Sequence, residues 1–276
     1  MSSLTSAKKA SQHDAFFYAR LLLIAIGVAG GNTALQAASD CHSGQFDETV
    51  SVAKVQDGDT LHLADGRKLR IIGVNTPELA REDRPAELWA TEARAALRGL
   101  LGSQQIKLRW GEKKHDRYGR MLAHVYLPDG LNVSEWLLRR GHGLTLTIPP
   151  NIRHWSCYLA AEQEARTHQR GLWSLPQFQP LAAGQVTETK AGYRLLRGTV
   201  GRIGQSRASV WLNLEGKTAI RIKRSDLGYF NGVDFKALQG RQILARGWFS
   251  EYKNQLVMQI KHPAALEVDG KPLQTK

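Results

Sequence analysis

Three short polar segments combine residue types that could act together on a phosphate ester. They are Asp57-Gly58-Asp59-Thr60, Arg70-Ile71-Ile72-Gly73-Val74-Asn75-Thr76-Pro77-Glu78 and Asp116-Arg117-Tyr118-Gly119-Arg120. Hydrolysis of a phosphodiester requires a Lewis acid, an activated water and hydrogen-bond donors for the charge that develops in the transition state. Asp59 and the oxygens of Asn75 and Thr76 are hard ligands of the kind that calcium prefers.

The other charged residues of these segments fit the remaining requirements of that chemistry. Glu78 can accept a proton from water. Arg70 and Arg120 can hold phosphate oxygens with planar, permanently charged guanidinium groups, which a lysine ammonium would not reproduce. Each segment alone is common, because Asp-Gly-Asp often forms a turn. A surface salt-bridge network on a barrel that only binds its ligand is therefore the alternative interpretation of these three residues.

In this order and spacing, the segments resemble the staphylococcal (thermonuclease-like) nuclease family. The resemblance spans Val52–Ser174 and includes Val133–Gly141 and Arg170–Ser174. What it implies for individual residues is as follows: calcium ligands Asp59, Asn75 and, through its backbone, Thr76; a general base, Glu78; transition-state clamps Arg70 and Arg120; and contacts to a substrate phosphate from Arg117 and Tyr118.

Two positions depart from the pattern of that family. Asn75 stands where the family has a second metal-binding carboxylate, so one negative charge is lost and weaker calcium binding is expected. The segment Leu144–Pro150 contains no match for the tyrosines that the family has after its second helix. Stacking of a substrate base at that place is therefore not expected.

The elements that must position these residues are mainly short strands. Turn signals separate Ser51–Val55, Thr60–Leu63 and Lys68–Val74, and two more β-prone runs follow at Gln105–Trp110 and Met121–Tyr126. Helices are predicted for Glu87–Leu101, Asn132–Arg140 and Ile152–Arg170, the first with Leu88, Ala95, Leu97 and Leu101 near one face. The predicted fold of residues 48–174 is an α+β, five-stranded OB-type barrel with three helices.

A second small OB-like β-barrel is predicted for residues 192–270. Residues 175–191 carry two prolines and no clear period, which is typical of a linker. Five alternating runs follow, with a break around Asp226–Leu238 that could hold a short helix. Aromatic and basic side chains in this part could bind a single nucleic-acid strand, although about half of the aromatic residues must fill the core.

The first 37 residues have the order of a secretory signal peptide. Basic residues precede the apolar run Leu21–Ala29, which is short for a bilayer span, and small residues follow it. An exported, periplasmic or secreted protein with no stable membrane span after cleavage is therefore expected. In an oxidising compartment Cys41 and Cys157 favour one disulfide, with two free thiols as the alternative.

The balance of charge favours polyanionic partners. The chain has 38 Lys and Arg against 25 Asp and Glu, a formal net charge of +13. With the resemblance, this predicts a calcium-dependent endonuclease acting on DNA and RNA, with no protein partner. One alternative is a catalytically decayed nucleic-acid-binding protein of the cell envelope, marked by Asn75. Another is an envelope scaffold whose basic second barrel binds polysaccharide or protein.

Overall fold

A computed structural model describes residues 41–82, 84–186 and 193–273 of the 276-residue chain. Contacts divide the chain into Met1–Ala37, which lies outside the described residues, and a second unit, Ala38–Lys276. The predicted signal peptide also lies outside them. Among the described residues, no helix has both the length and the apolar character needed to cross a membrane.

The amino-terminal half is built on one curled sheet and a small strand pair. Its strands are β1 (Glu48–Val50), β2 (Val52–Val55), β3 (Thr60–Leu63), β4 (Lys68–Ile71), β5 (Gly73–Asn75), β6 (Ile106–His115), β7 (Met121–Tyr126) and β8 (Leu144–Leu146). The sheet order is β1-β6-β7-β4-β3-β2, and β5 pairs with β8. Because only Ser51 separates β1 from β2, the two edges of the sheet are consecutive in the chain, and the sheet curls on itself.

A glycine allows the chain to leave the sheet between β4 and β5. Gly73 has φ +97°, and a Cβ atom there would lie 2.1 Å from the ring of the buried Tyr158. Any larger residue would therefore clash as well as adopt an unfavourable backbone conformation. The break directs β5 away from β4 and towards β8, so that Asn75 leaves the main sheet.

Three α-helices lie in this half, within the described residues: α1 (Ala90–Leu101), α2 (Val133–Arg139) and α3 (Trp155–Thr167). Helix α2 begins after Asn132, whose side-chain oxygen accepts a hydrogen bond from the Glu135 amide at 3.1 Å and so caps the helix. The buried face of α1 is Ala90, Ala93, Leu97 and Leu101.

The predicted apolar face of the first helix was partly wrong. Leu88 precedes the helix and is 53% exposed, and Ala95 is also exposed. Ala95 is two residues before Leu97, which is about 200° around a helix, so the two cannot share one face. The broader prediction of a mainly β architecture with few helices is confirmed.

The carboxyl-terminal half contains a second large sheet. Its strands are β9 (Leu181–Ala182), β10 (Tyr193–Thr199), β11 (Arg202–Gln205), β12 (Ser209–Asn213), β13 (Thr218–Lys223), β14 (Gln242–Tyr252), β15 (Gln255–Ile260), β16 (Leu266–Val268) and β17 (Lys271–Pro272). The order is β11-β12-β13-β15-β14-β10-β9. The pairing of β13 with β15 is parallel, as is that of β4 with β7. Two short 3-10 segments, Arg224–Phe230 and Lys236–Leu238, occupy the predicted break before β14.

The two halves share buried contacts. An apolar cluster combines residues from both, namely Leu144, Ala165, Leu172, Trp173, Phe178, Tyr193, Leu195 and Leu244. Beside it, Arg246 of β14 is 2% exposed and donates at 2.5 Å to Glu162 of α3 and at 2.5 Å to Glu267 of β16. The segment predicted as a linker contributes Phe178 to this cluster. The predicted domain limits stay a prediction. The described part of the segment between them, residues 175–186, packs against the two halves through Phe178 and does not serve only as a connection.

The predicted disulfide is present and ties the start of the described chain to α3. Cys41 and Cys157 are bonded with their Cα atoms 5.8 Å apart, and both are buried. The bond closes a loop with a sequence separation of 116.

Reduction of this bond is expected to lower the free energy of unfolding by about 2–4 kcal/mol, because the unfolded chain regains the entropy of a long loop. Chemical unfolding of the oxidised protein and of a Cys41→Ser/Cys157→Ser variant measures the difference. Equal stabilities, or two free thiols found by mass spectrometry on the purified protein, would contradict it.

Candidate active site

A buried carboxylate lies at the centre of the predicted site. Asp59, in the turn between β2 and β3, is 5% exposed. Its Oδ2 accepts hydrogen bonds from the amide of Thr76 at 2.8 Å and from the Thr76 hydroxyl at 3.1 Å. The same oxygen lies 2.9 Å from a guanidinium nitrogen of Arg70. Two of the predicted metal ligands, Asp59 and Thr76, are therefore in direct contact.

The turn can approach Thr76 this closely because it contains glycine. A Cβ atom at Gly58 would lie 2.7 Å from the Thr76 hydroxyl oxygen and 2.8 Å from its Cβ. Asp57 shapes the same turn, since its Oδ1 accepts a hydrogen bond from the Asp59 amide at 3.0 Å. The Asp-Gly-Asp segment is thus both a turn and the means by which Asp59 reaches the Thr76 backbone.

Arg70 is held in place along most of its guanidinium group. From β4 it donates to the carbonyl oxygens of Ile71 and Val74 at 3.0 and 2.9 Å. It also donates to the side-chain oxygen of Asn75 at 3.1 Å. Arg70 therefore fixes the chain segment that leads into β5 and occupies the amide oxygen of Asn75.

Burial dominates the electrostatics of Asp59. Loss of solvent is the largest effect and raises the pKa of its carboxyl, Arg70 and the Thr76 amide lower it, and Asp57 raises it, so that the pKa is about 7. A carboxylate that has lost its solvent is stabilised in its ionised form by a nearby positive charge. A cation bound beside Asp59 would supply that charge.

Arg120 joins the same cluster through a threonine. Its Nε donates to Asp116 Oδ2 at 2.7 Å, and its Nη1 donates to the Thr60 hydroxyl at 3.3 Å. That hydroxyl in turn donates to Asp59 Oδ1 at 3.1 Å. We call Asp59, Thr60, Arg70, Thr76 and Arg120 the Asp59 site. It has an arginine on each of the two oxygens of its central carboxylate, one direct and one through Thr60.

Arg117 and Tyr118 lie at the exposed edge of this site. Tyr118 is 67% exposed. The guanidinium carbon of Arg117 lies 4.7 Å from the centre of the Tyr118 ring, and that of Arg120 lies 5.6 Å from it. The ring therefore sits between a solvent-facing arginine and an arginine of the Asp59 site, where a substrate could reach all three.

Glu78 makes none of the hydrogen bonds of the Asp59 site. Its carboxylate accepts from Arg81 at 2.7 Å, and its side chain is 46% exposed. Its amide donates to the Glu87 carboxylate at 3.0 Å. The structure thus brings Arg70, Arg120, Asp59, Asn75 and Thr76 together, whereas the carboxylate of Glu78 is bound to Arg81 at the surface.

Three contributors were not assigned a role from the sequence. Thr60 and Asp116 lie inside the quoted segments, so their position was a usable signal. Arg81, which holds Glu78, lies outside them and has no pattern that marks it. Its role depends on where the loop after Glu78 turns back.

The fold and the site together define a class of protein: a curled β-sheet that presents a buried carboxylate between arginines, suited to binding phosphate groups.

Residues 68–175 match the family model described as staphylococcal nuclease homologue. The chain is 31% identical over 131 residues to a thermonuclease of Staphylococcus hyicus, covering 46% of this chain and 77% of that protein. It is 32% identical over 130 residues to a thermonuclease of Staphylococcus intermedius, covering 46% and 76%. It is 30% identical over 126 residues to an uncharacterised endonuclease of Escherichia coli, covering 45% and 75%. This chain belongs to the staphylococcal nuclease family.

Proposed function

We propose that the protein is an exported, calcium-dependent endonuclease that hydrolyses the phosphodiester bonds of DNA and RNA. The observation that carries the proposal is the Asp59 site, in which two arginines and a buried carboxylate from three separate segments meet. Family membership and the endonuclease names of its relatives support the same activity.

The residues of the site fit a calcium ion. Asp59, Asn75 and the backbone of Thr76 offer hard oxygen atoms. Burial raises the pKa of the Asp59 carboxyl, and a bound cation would favour its ionised form. These residues would hold the ion, and Asp57 would support them by accepting the hydrogen bond from the Asp59 amide. When bound, calcium supplies Lewis-acid polarisation of the phosphate.

The side chains divide the remaining work. Arg70 and Arg120 bind the phosphate oxygens and stabilise the charge that develops on them. Glu78 accepts the proton of the attacking water. Its ion pair with Arg81 is exposed on both sides and worth about 0–1 kcal/mol, so turning towards a substrate costs little. Arg117 and Tyr118 contact a neighbouring phosphate.

For the domain organisation, we propose two OB-type barrels, with limits at 48–174 and 192–270 and a connecting segment at 175–191. In each half a first strand is split in two, β1 and β2 or β10 and β11, and its two parts lie at opposite ends of the shared strand order, with β9 added beyond β10 in the second half. The shared order and the parallel pairs β4–β7 and β13–β15 support this proposal. It makes the second barrel a structural counterpart of the first without the residues of the Asp59 site.

Incubation of the purified protein with supercoiled plasmid tests the proposed activity. Nicking and linearisation with calcium, and their loss with a chelator, are the expected results. Parallel reactions with single-stranded DNA and RNA test the breadth of substrates. Binding of these nucleic acids without any cleavage at saturating calcium would contradict the proposal.

A catalytically decayed nucleic-acid-binding protein is the second candidate. It is favoured by one observation: the amide oxygen of Asn75 accepts a hydrogen bond from Arg70, so it is engaged rather than free for a metal. The plasmid reaction separates the two functions, because only the first yields cut products.

Asn75→Asp is expected to tighten calcium binding and to lower the calcium concentration for half-maximal cleavage. The variant adds a second negative charge beside Asp59, and calcium affinity rises with ligand charge. Calorimetric titration with calcium measures binding without reference to cleavage. Asn75→Ala is the control, and it should not tighten binding. An unchanged or weaker calcium affinity of Asn75→Asp would show that position 75 is not a ligand.

A further inference from the structure

One outer side of the second sheet carries aromatic and basic residues that the Asp59 site does not use. Trp211 of β12 pairs in register with Arg221 of β13, and Tyr252 lies at the end of β14. Trp248 is four residues before Tyr252 in the same strand, so alternation places both on one side. We call Trp211, Arg221, Trp248 and Tyr252 the aromatic face.

Two rings of the aromatic face are stacked on each other, and two are exposed to solvent. Trp211 and Tyr252 have ring centres 5.7 Å apart and planes 24° from parallel. The guanidinium carbon of Arg221 lies 5.2 Å from the Trp211 ring and 5.7 Å from the Tyr252 ring. Trp248 is 48% exposed and Tyr252 42% exposed, which is unusual for side chains of this size. Flat π surfaces and a positive charge are therefore presented together to solvent.

The surroundings of the face are basic. Glu251 is the one acidic residue within the strands β11, β12, β13, β14 and β15 themselves, all of which the structure describes, and alternation puts it on the side opposite Tyr252. Glu215, Asp226 and Asp234 lie in the connections between these strands. Arg202, Lys223 and Arg224 lie exposed on the neighbouring strands and at their ends. Among the described residues, no salt bridge engages these three or Arg221. Their charge is left for a ligand.

A cross-strand ladder that only stabilises the sheet would account for the packing of Trp211 against Arg221. It would not account for the exposure of Trp248 and Tyr252 or for the unpaired charge around them. Unstacked bases can lie on exposed rings while their phosphates meet basic groups, which is how single strands are bound without sequence preference. The bases of a duplex are already stacked and cannot use the rings in this way.

We propose that the aromatic face binds single-stranded nucleic acid by base stacking. The proposal deepens the proposed nuclease function, on which it rests for the class of substrate, by giving that substrate a second contact.

The face reaches the neighbourhood of the Asp59 site. The Trp248 ring is 4.6 Å from the Tyr193 ring, centre to centre, and the Tyr193 hydroxyl donates to the Thr145 carbonyl at 3.2 Å. Thr145 lies in β8, which pairs with the strand that carries Asn75. One residue therefore separates the Trp248 end of the face from the strand beside the predicted metal ligands.

Fluorescence anisotropy with a labelled single-stranded oligonucleotide of about 20 thymidines, measured in a chelator so that nothing is cleaved, tests the proposal. Tyr252→Ala and Trp211→Ala are expected to weaken binding roughly tenfold each. Leu88→Ala, which removes another exposed apolar side chain in the first half, is the control and should bind as the wild type does. Quenching of tryptophan fluorescence by the unlabelled oligonucleotide is expected in the wild type as a second measure of stacking.

The outcomes separate the two proposals. If Tyr252→Ala, whose side chain is exposed enough to be removed without unfolding, binds as tightly as the wild type, the aromatic face is not the site. Two other results would also overturn stacking of single strands. One is that the wild type binds a duplex of equal length more tightly than the single strand. The other is that Tyr252→Ala and Trp211→Ala lose as much affinity for a sulfated polysaccharide as for the oligonucleotide. Failure of the wild type to cut DNA with calcium would instead refute the nuclease function, and the binding measured in chelator would be unaffected by it.

Discussion

Glu78→Gln is expected to reduce turnover by roughly two to four orders of magnitude at saturating calcium. The change keeps the size of the side chain and an oxygen that can accept the hydrogen bond from Arg81, but it removes the group proposed to take the proton from water. Substrate binding should be almost unchanged, because the phosphate contacts come from Arg70 and Arg120. Single-turnover cleavage of a short oligonucleotide, together with binding measured in a chelator, separates the two effects.

A matched control lies four residues further along the same loop. Glu82 is exposed, and Glu82→Gln makes the same chemical change without touching the proposed base. It should cleave at the wild-type rate. If Glu78→Gln cleaved as fast as Glu82→Gln, Glu78 would not be the base and the proposed division of roles would be wrong.

Arg120→Lys is expected to lose activity for a different reason, since a point charge cannot replace a two-pronged contact to phosphate.

Arg246→Met is expected to lower the free energy of unfolding by about 3–5 kcal/mol. Arg246 is buried between Glu162 and Glu267, and methionine fills a similar space without the charge. Both carboxylates would then depend on Arg166, which lies 2.7 Å from Glu267 but 3.8 Å from Glu162. Leaving buried charges without their partner costs far more than losing a surface pair. Chemical unfolding followed by circular dichroism measures the change.

Arg241→Met provides the comparison for that experiment. Arg241 pairs with Asp269 in the same half of the protein, but more than 40% of each side chain is exposed. Its replacement should cost about 0–1 kcal/mol. Equal stabilities of the two variants would mean that the Arg246 network contributes no more to stability than an exposed ion pair does.

The Arg246 network also connects the second half to the Asp59 site. The other carboxylate oxygen of Glu162 accepts a hydrogen bond from the Thr145 amide at 2.5 Å. Thr145 is in register with Val74, one residue before Asn75. Besides its lower stability, folded Arg246→Met protein is therefore expected to need more calcium for half-maximal cleavage, if the proposed activity is present.

The sequence alone was enough to predict which residue types could carry the chemistry and that short strands would hold them. Asp59, Arg70, Thr76 and Arg120 lie in three short segments whose residue types, order and spacing resemble the staphylococcal nuclease family, and turn signals place these segments at the ends of strands. The pairing of Cys41 with Cys157 was favoured for a similarly simple reason, since two cysteines allow only one bond within the chain. The alternative of two free thiols was removed by the structure.

Only the tertiary structure decided how these segments meet. Thr76 binds an aspartate 17 residues away, and Thr60 receives an arginine from 60 residues away, contacts that depend on strand order rather than on local pattern. The contact of Glu78 with Arg81 and the burial of Arg246 against Glu162, 84 residues apart, had no signal in the sequence. From sequence alone a charged residue is predicted to lie at the surface, because charged residues are rarely buried without a partner. Whether an opposite charge lies beside it depends on the packing of the whole chain.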